Sequence, residues 1–150
     1  MKRLAILSLY VLLAGAAAAQ DGPGVPPPAL DIRSAAQVTL EEFLWKNRLI
    51  VVFADSPFDP KFQEQLELFR ERPGDLLERD VIIITDTEPA SPSAIRQALR
   101  PRGFGLVFVD KDGLVKLRKP SPWHVREISR SIDKTELRQK ELRDARERGS

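Results

Sequence analysis

The segment VVFADSPFDPKFQEQ, residues 51–65, joins an apolar run to a short polar loop and then to the start of a helix. The apolar run begins near Arg48 and ends at Ala54, and an unbroken run of this kind is typical of a central strand buried on both faces. Asp59 can cap the helix, and Pro60 suits its first position. The segment therefore predicts a strand, a loop and a helix in that order.

Two further apolar runs, DVIIIT (80–85) and FGLVFVD (104–110), predict two more buried strands. The turn sequence DKDG (110–113) leads into the alternating segment LVKLRK (114–119), which predicts a hairpin with a fourth strand. The last two strands are therefore expected to run antiparallel to each other, whereas helices separate the earlier strands along the chain.

Helix starts are expected at three other places. Thr39 and Glu42 have the spacing of a capping box before the segment FLWKN, and Ser91 and Ser121 each precede a proline and an apolar periodic segment. The resulting order is α-β-α-β-α-β-β-α. This order predicts a thioredoxin-like α/β fold, with a mixed sheet of about four strands flanked by helices and a charged C-terminal helical arm.

The chain divides into four parts by composition. Residues 1–19 have a basic start, an apolar stretch and small residues at the end, which predicts a signal peptide. Residues 20–37 are rich in proline and glycine and predict an extended linker. The thioredoxin-like domain is expected over 38–134, and a charged helix or tail over 135–150. We therefore expect export to the periplasm or the cell exterior, without stable membrane insertion after cleavage.

The charge and cysteine content exclude two classes of function. The formal net charge is +2, and Lys2 and Arg3 of the predicted signal account for it, so no nucleic-acid partner is expected. The chain has no cysteine, which excludes thiol peroxidase and disulfide-exchange chemistry because both need a thiolate.

The two halves of the mature chain differ in charge. Residues 20–115 carry an acidic excess and residues 116–150 a basic excess. Such asymmetry can attract an acidic partner or allow the basic segment to fold back on the body. The segment after Asp133 is interpreted either as a solvated tail or as an arm that contacts a partner, in which case Arg138 and Arg143 are candidate contact residues.

Three segments together resemble one protein family. They are WKNRLIVVFADSPFDPKFQEQ, FVDKDGLVKLRKPSP and IDKTELRQKELR, and the match spans roughly residues 38–143. In this order they resemble the DUDES-type domain of unknown function, which occurs in bacterial exported proteins and in animal secreted matrix proteins such as equarin and the sushi-repeat-containing proteins. The resemblance implies a thioredoxin fold related to peroxiredoxins, and it implies no particular activity.

The loop after the first predicted strand offers the main candidate site. Thioredoxin-like proteins carry their redox cysteines at this place, which Asp55, Ser56, Phe58 and Asp59 occupy here. Phe58 is interpreted either as an exposed contact for a peptide or an anion, or as a staple packed on Trp45 or Phe62. We expect a non-redox module that binds an extracytoplasmic protein or another ligand, and that needs no cofactor.

An enzyme is the alternative interpretation. Asp55 and Asp59 flank the loop, and Asp86 follows the next predicted strand, so the three carboxylates could face one edge of the sheet and hold a metal ion. Helix capping and loop solubility explain the same residues without a metal. A Ser/His/Asp triad is disfavoured, because the single histidine, His124, is expected far from Ser56.

Overall fold

The computed structural model describes residues 29–149. The predicted signal peptide, 1–19, and residues 20–28 of the predicted linker lie outside the described residues. The described part forms five strands and five helices, and two 3-10 turns precede the second strand. The elements are β1 (Ile32–Ser34), β2 (Arg48–Phe53), α1 (Pro60–Glu71), α2 (Pro73–Leu77), β3 (Val81–Asp86), α3 (Ala94–Leu99), β4 (Gly105–Val109), β5 (Val115–Lys119), α4 (Val125–Asp133) and α5 (Glu136–Arg148).

The strands form one mixed sheet in the order β1-β3-β2-β4-β5. β3 pairs in parallel with both β1 and β2, whereas β4 runs antiparallel to β2 and β5 antiparallel to β4. The central strand β2 is buried along its whole length, as its continuous apolar run predicts. The predicted hairpin over β4 and β5 is confirmed.

The sheet has five strands where the sequence predicted about four. The additional strand is β1, which lies in the stretch predicted as linker and pairs Ile32 with Ile83. All three of its side chains are exposed at the edge of the sheet. A strand this short and this exposed has no apolar run or alternation to indicate it.

The helix start predicted at Thr39 yields only a single 3-10 turn, Glu41–Phe43. Half of the capping box forms, because the Glu42 carboxylate accepts a hydrogen bond from the Thr39 backbone N–H at 2.8 Å. The turn stops because Leu44 leaves the helical region, with ψ of 129°, and Trp45 adopts a left-handed conformation with φ of 61°.

Apolar side chains cover both faces of the sheet. On one face, Ile50 and Val52 of β2 belong to a cluster that α1, α2 and α4 complete. On the other face, Leu49, Val51 and Phe53 join a cluster that includes α3 and the segment before β2. The alternation along β2 thus places helices on both sides of the sheet.

The charged C-terminal segment forms a helix, α5, over Glu136–Arg148. The Thr135 hydroxyl caps it by accepting a hydrogen bond from the Arg138 backbone N–H at 3.3 Å. One side of α5 docks on the domain itself, as Arg138 is only 8% exposed. Within residues 29–149, no helix combines the length and apolar character needed to cross a membrane.

Candidate binding sites at the two ends of the sheet

The loop that follows β2 is fixed by its own polar groups. Asp59 accepts hydrogen bonds from the backbone N–H groups of Lys61 and Phe62, so it caps α1 as predicted. The Ser56 hydroxyl accepts from the Phe58 N–H at 3.1 Å, and the Ser56 carbonyl accepts from the Asp59 N–H at 3.2 Å. These bonds define the conformation of residues 55–59. We call the end of the sheet at which this loop lies the loop end.

Phe58 points into solvent and is 86% exposed. The interpretation of Phe58 as a staple against Trp45 or Phe62 is therefore wrong. Trp45 lies at the other end of β2, where its backbone N–H donates to the Lys111 carbonyl at 2.8 Å. The loop thus presents a large aromatic side chain to solvent from a backbone held by hydrogen bonds.

A buried ion pair lies beneath the loop. Arg96 donates to one Asp86 oxygen through Nε at 2.9 Å and through Nη2 at 2.8 Å. Burial favours the neutral acid, but the hydrogen bonds from Arg96, Ser93 and the Glu88 backbone N–H outweigh it and lower the pKa of Asp86. Arg96 also donates to the Ala54 carbonyl at 3.0 Å, which ties the end of β2 to α3.

The carboxylates named in the metal interpretation do not form a ligand set. Asp86 is occupied by Arg96 and Ser93, and Asp59 by the cap of α1. Asp55 is exposed in the loop. The part of the chain that the structure describes contains no group of three or more His, Cys, Asp or Glu residues arranged to hold a metal ion.

A basic recess of about 220 Å³ lies at the loop end, where β4 begins beside the end of β2. Its lining includes four basic residues and no acidic residue: Arg100, Arg102, Arg118 and Lys119. Phe104 stands just before β4 and is packed into the core at 9% exposure. Sequence reasoning did not find this recess, because its cations come from segments that only the β4–β5 hairpin brings together.

The opposite end of the sheet is built around a fully buried arginine, Arg48, and we call it the Arg48 end. Arg48 Nε lies 2.9 Å from an Asp110 oxygen, and both side chains are inaccessible to solvent. Its two terminal nitrogens donate to the two oxygens of Glu141 at 3.1 and 3.2 Å. Arg48 Nη1 also donates to the Arg79 carbonyl at 3.1 Å. The start of β2, the end of β4 and α5 are thereby joined by one side chain.

Further ion pairs surround Glu141. Lys111 Nζ lies 2.8 Å from its carboxylate, and Arg138 Nη1 lies 3.3 Å from it. Burial acts to raise the pKa of Glu141, but hydrogen bonds from Lys111 and Arg48 outweigh that effect and lower the pKa to about 2. Arg79 pairs with Asp133 at 2.8 Å, and this hydrogen bond lowers the pKa of Asp133. The Arg48 end is therefore an ionic network that includes α5.

The structure separates the predicted site residues into two groups. Asp55, Ser56, Phe58 and Asp59 share the loop end. Arg138 and Arg143 are on α5 at the Arg48 end, six strand residues or about 20 Å away. Of these two, Arg138 is buried among the carboxylates of Glu78, Asp133 and Glu141, whereas Arg143 is exposed.

Sequence reasoning missed Arg48, Asp110 and Glu141 as a unit. One signal was present: Arg48 and Asp110 each adjoin a buried apolar run, where a full charge is rarely buried without a partner. The three segments that carry the family resemblance each contribute one of these residues. Because the three residues meet in ion pairs at one end of the sheet, the three segments together stabilise the fold there.

Known proteins share the fold at low sequence identity. Reduced 2-Cys peroxiredoxin of Plasmodium vivax aligns with a TM-score of 0.53 and 16% identity, over 69% of this chain and 85% of that one. Chloroplastic thioredoxin z aligns with a TM-score of 0.52 and 17% identity, over 73% of this chain and 100% of that one. The fold is therefore thioredoxin-like, as the sequence predicted.

Among curated proteins, none matches the chain. The family model described as Domain of unknown function (DUF4174) matches residues 39–141. That range extends from the turn before β2 into α5 and includes Arg48, Asp110 and Glu141. The chain therefore belongs to the DUF4174 family of domains of unknown function.

Proposed function

We propose that this protein is a non-redox, thioredoxin-fold binding module that acts outside the cytoplasm and contacts a partner protein through the loop end. The observation that carries the proposal is Phe58, which is 86% exposed on a loop fixed by hydrogen bonds. Exposed aromatic side chains on rigid backbones are common anchors of protein interfaces, because little conformational entropy is lost when they bind.

The remaining features of the loop end favour binding over three kinds of catalysis: thiol chemistry, nucleophilic attack by Ser56 and metal-dependent chemistry. The position of the redox cysteines in thioredoxin-like proteins holds Asp55 and Ser56, and the chain has no cysteine. No histidine lies in the loop to activate Ser56, since the single His124 precedes α4. Of the three carboxylates of the metal interpretation, Asp86 is engaged by Arg96 and Asp59 by the cap of α1, so Asp55 alone offers no ligand set for a metal ion.

The extracytoplasmic location rests on the sequence of residues 1–19 and on the resemblance to DUDES-type domains of exported proteins. Export and cleavage of the signal peptide are therefore part of the proposal. They are tested by expressing the full chain in a Gram-negative host, followed by cell fractionation and N-terminal sequencing. We expect a periplasmic product that begins near Gln20.

The binding function is tested by crosslinking in intact cells that express the tagged full chain, followed by mass spectrometry. We expect a specific protein adduct whose yield falls about tenfold or more in Phe58→Ala. Ile32→Ala is the matched control, because it removes another exposed apolar side chain, on the edge strand β1. An adduct that both variants reduce equally, or that neither reduces, would contradict a contact through Phe58.

A further inference from the structure

A second concave surface lies at the Arg48 end, away from the loop of the proposed function. It is a groove of about 670 Å³ between α5 on one side and Trp45 with the β4–β5 hairpin on the other. We call it the Trp45 groove. Its charged lining residues are Asp112, Lys116, Lys134, Glu136, Lys140 and Arg143.

The groove carries a basic excess. Four of its lining residues are basic and two are acidic. Lys116 pairs with Asp112 at 3.1 Å, and Lys140 pairs with Asp144 at 2.6 Å. Within residues 29–149, neither Lys134 nor Arg143 forms an ion pair with a carboxylate. The groove therefore has two cationic groups without a direct ion pair in the described residues, although the Asp144 carboxylate is close enough to interact electrostatically with Arg143.

Trp45 gives the groove an apolar anchor point. Its side chain is 69% exposed, although tryptophan is among the most favourable side chains to remove from water. Its backbone is held in a left-handed conformation with φ of 61°, and its N–H donates to the Lys111 carbonyl at 2.8 Å. A non-glycine residue in this conformation is strained, and such strain is common at binding sites.

The wall formed by α5 depends on the ionic network. Glu141 faces Arg48 and Lys111, while Lys140 and Arg143, its neighbours in sequence, line the groove. The inward charges of α5 therefore hold the helix in place, and its outward charges are left for a ligand. Among the basic residues of α5, Arg138 belongs to the network, and Lys140 and Arg143 belong to the groove wall.

We propose that the Trp45 groove binds an acidic segment of a partner protein, with an apolar side chain of that segment packed on Trp45 and its carboxylates paired with Lys134 and Arg143. The groove is concave and contains Asp112 and Glu136, which would repel the uniform negative charge of a lipid surface or a nucleic acid. A peptide can place neutral or basic residues beside those two carboxylates. Tryptophan and arginine are also the residue types most enriched at the energetic centres of protein interfaces.

The test is a selection of random 12-residue peptides displayed on phage against the mature full chain. We expect enriched peptides to be net acidic and to contain an aromatic or branched aliphatic residue. Labelled copies should bind the wild-type chain in fluorescence polarisation, and should bind Trp45→Ala and Arg143→Glu about tenfold or more weakly. Trp45→Ala keeps a non-glycine residue at the left-handed position, so it removes the indole without adding the backbone freedom of glycine.

Two controls make the result specific. Arg126→Glu reverses an exposed charge on α4 outside the groove and should leave binding unchanged. Phe58→Ala should also leave it unchanged, which separates this proposal from the proposed function. Peptides without an acidic bias, or binding indifferent to Trp45→Ala and Arg143→Glu, would overturn the proposal. So would binding to phosphatidylglycerol vesicles through these residues without any binding of acidic peptides.

Discussion

At the scale of single residues, Arg48 is the side chain on which the Arg48 end depends most. It is fully buried, and its charge is balanced by Asp110 and Glu141. Removing one partner from a buried ion pair is costly, because it leaves the other charge in a medium of low polarity without compensation. Arg48 and Asp110 pair across neighbouring antiparallel strands, so the loss would act on the centre of the sheet.

The substitution Arg48→Met should therefore lower the free energy of unfolding by about 3–5 kcal/mol, measured by urea denaturation at neutral pH. Arg126→Met removes an exposed arginine of α4 and should change it by less than about 0.5 kcal/mol. Adding Asp110→Asn to Arg48→Met should recover part of the loss, since it removes the unpaired charge. Equal stability of Arg48→Met and the wild-type chain would contradict the role assigned to this residue.

At the scale of elements, α5 differs most from what its sequence suggests. Its residues are nearly all charged, and charge-rich segments are usually solvated. Sequence periodicity predicts a helix here, but it cannot show that the helix docks on the domain. The docking contact joins Glu141 to Arg48, which is 93 residues away in the sequence. Arg138 was a candidate contact for a partner molecule, and the structure places it in the docking face instead. The tail and the domain are therefore one folded unit.

Deletion of α5 tests whether this helix contributes to the stability of the folded domain. A chain ending at Asp133 loses Glu141 and Arg138, which leaves Arg48 and Lys111 without the carboxylate between them. We expect the urea midpoint to fall by an amount corresponding to about 2 kcal/mol or more. A chain ending at Arg148 keeps the whole helix and should match the wild type. If both truncations matched it, α5 would be a solvated tail and not part of the fold.

The acid dependence of α5 docking follows from the pKa of Glu141. Because this pKa is lowered from 4.5 to about 2, the ionised carboxylate stabilises the folded chain above pH 4.5 and that contribution is lost as the pH falls towards 2. Glu141→Gln should cost about 1–2 kcal/mol at pH 6, after the solvent screening expected for a side chain that is 31% exposed. Urea denaturation of both chains should show this difference shrinking steadily below pH 4.5. A difference independent of pH would mean that the charge of Glu141 does not hold the helix.

At the scale of the whole molecule, the sheet divides the chain into a loop end and an Arg48 end, each with its own surface. The strands β2, β3 and β4 were predictable, because each is a continuous apolar run. The candidate residues of the loop were predictable from the strand–loop–helix pattern. The short edge strand β1 and the Trp45 groove were not, because an exposed strand has no apolar signal and the groove requires α5 to be docked.

The two proposals together describe a molecule that contacts two partners, one at each end of its sheet. The loop end presents Phe58 and also contains the basic recess, and the Trp45 groove has a basic excess of its own. The two surfaces therefore differ in the aromatic side chain that each exposes, and β2 keeps them about 20 Å apart. The proposed function depends on the loop end, because Phe58 is the most exposed of the large apolar side chains in the part of the chain that the structure describes.

The measurement that tests this claim most directly is site-specific photocrosslinking in intact cells with benzoylphenylalanine in place of Phe58. We expect a discrete protein adduct from position 58 and none from the same probe in place of Ile32, which is also exposed but lies on the edge strand β1. An adduct that forms equally well at both positions, or at neither, would contradict the claim that the loop end binds a partner protein.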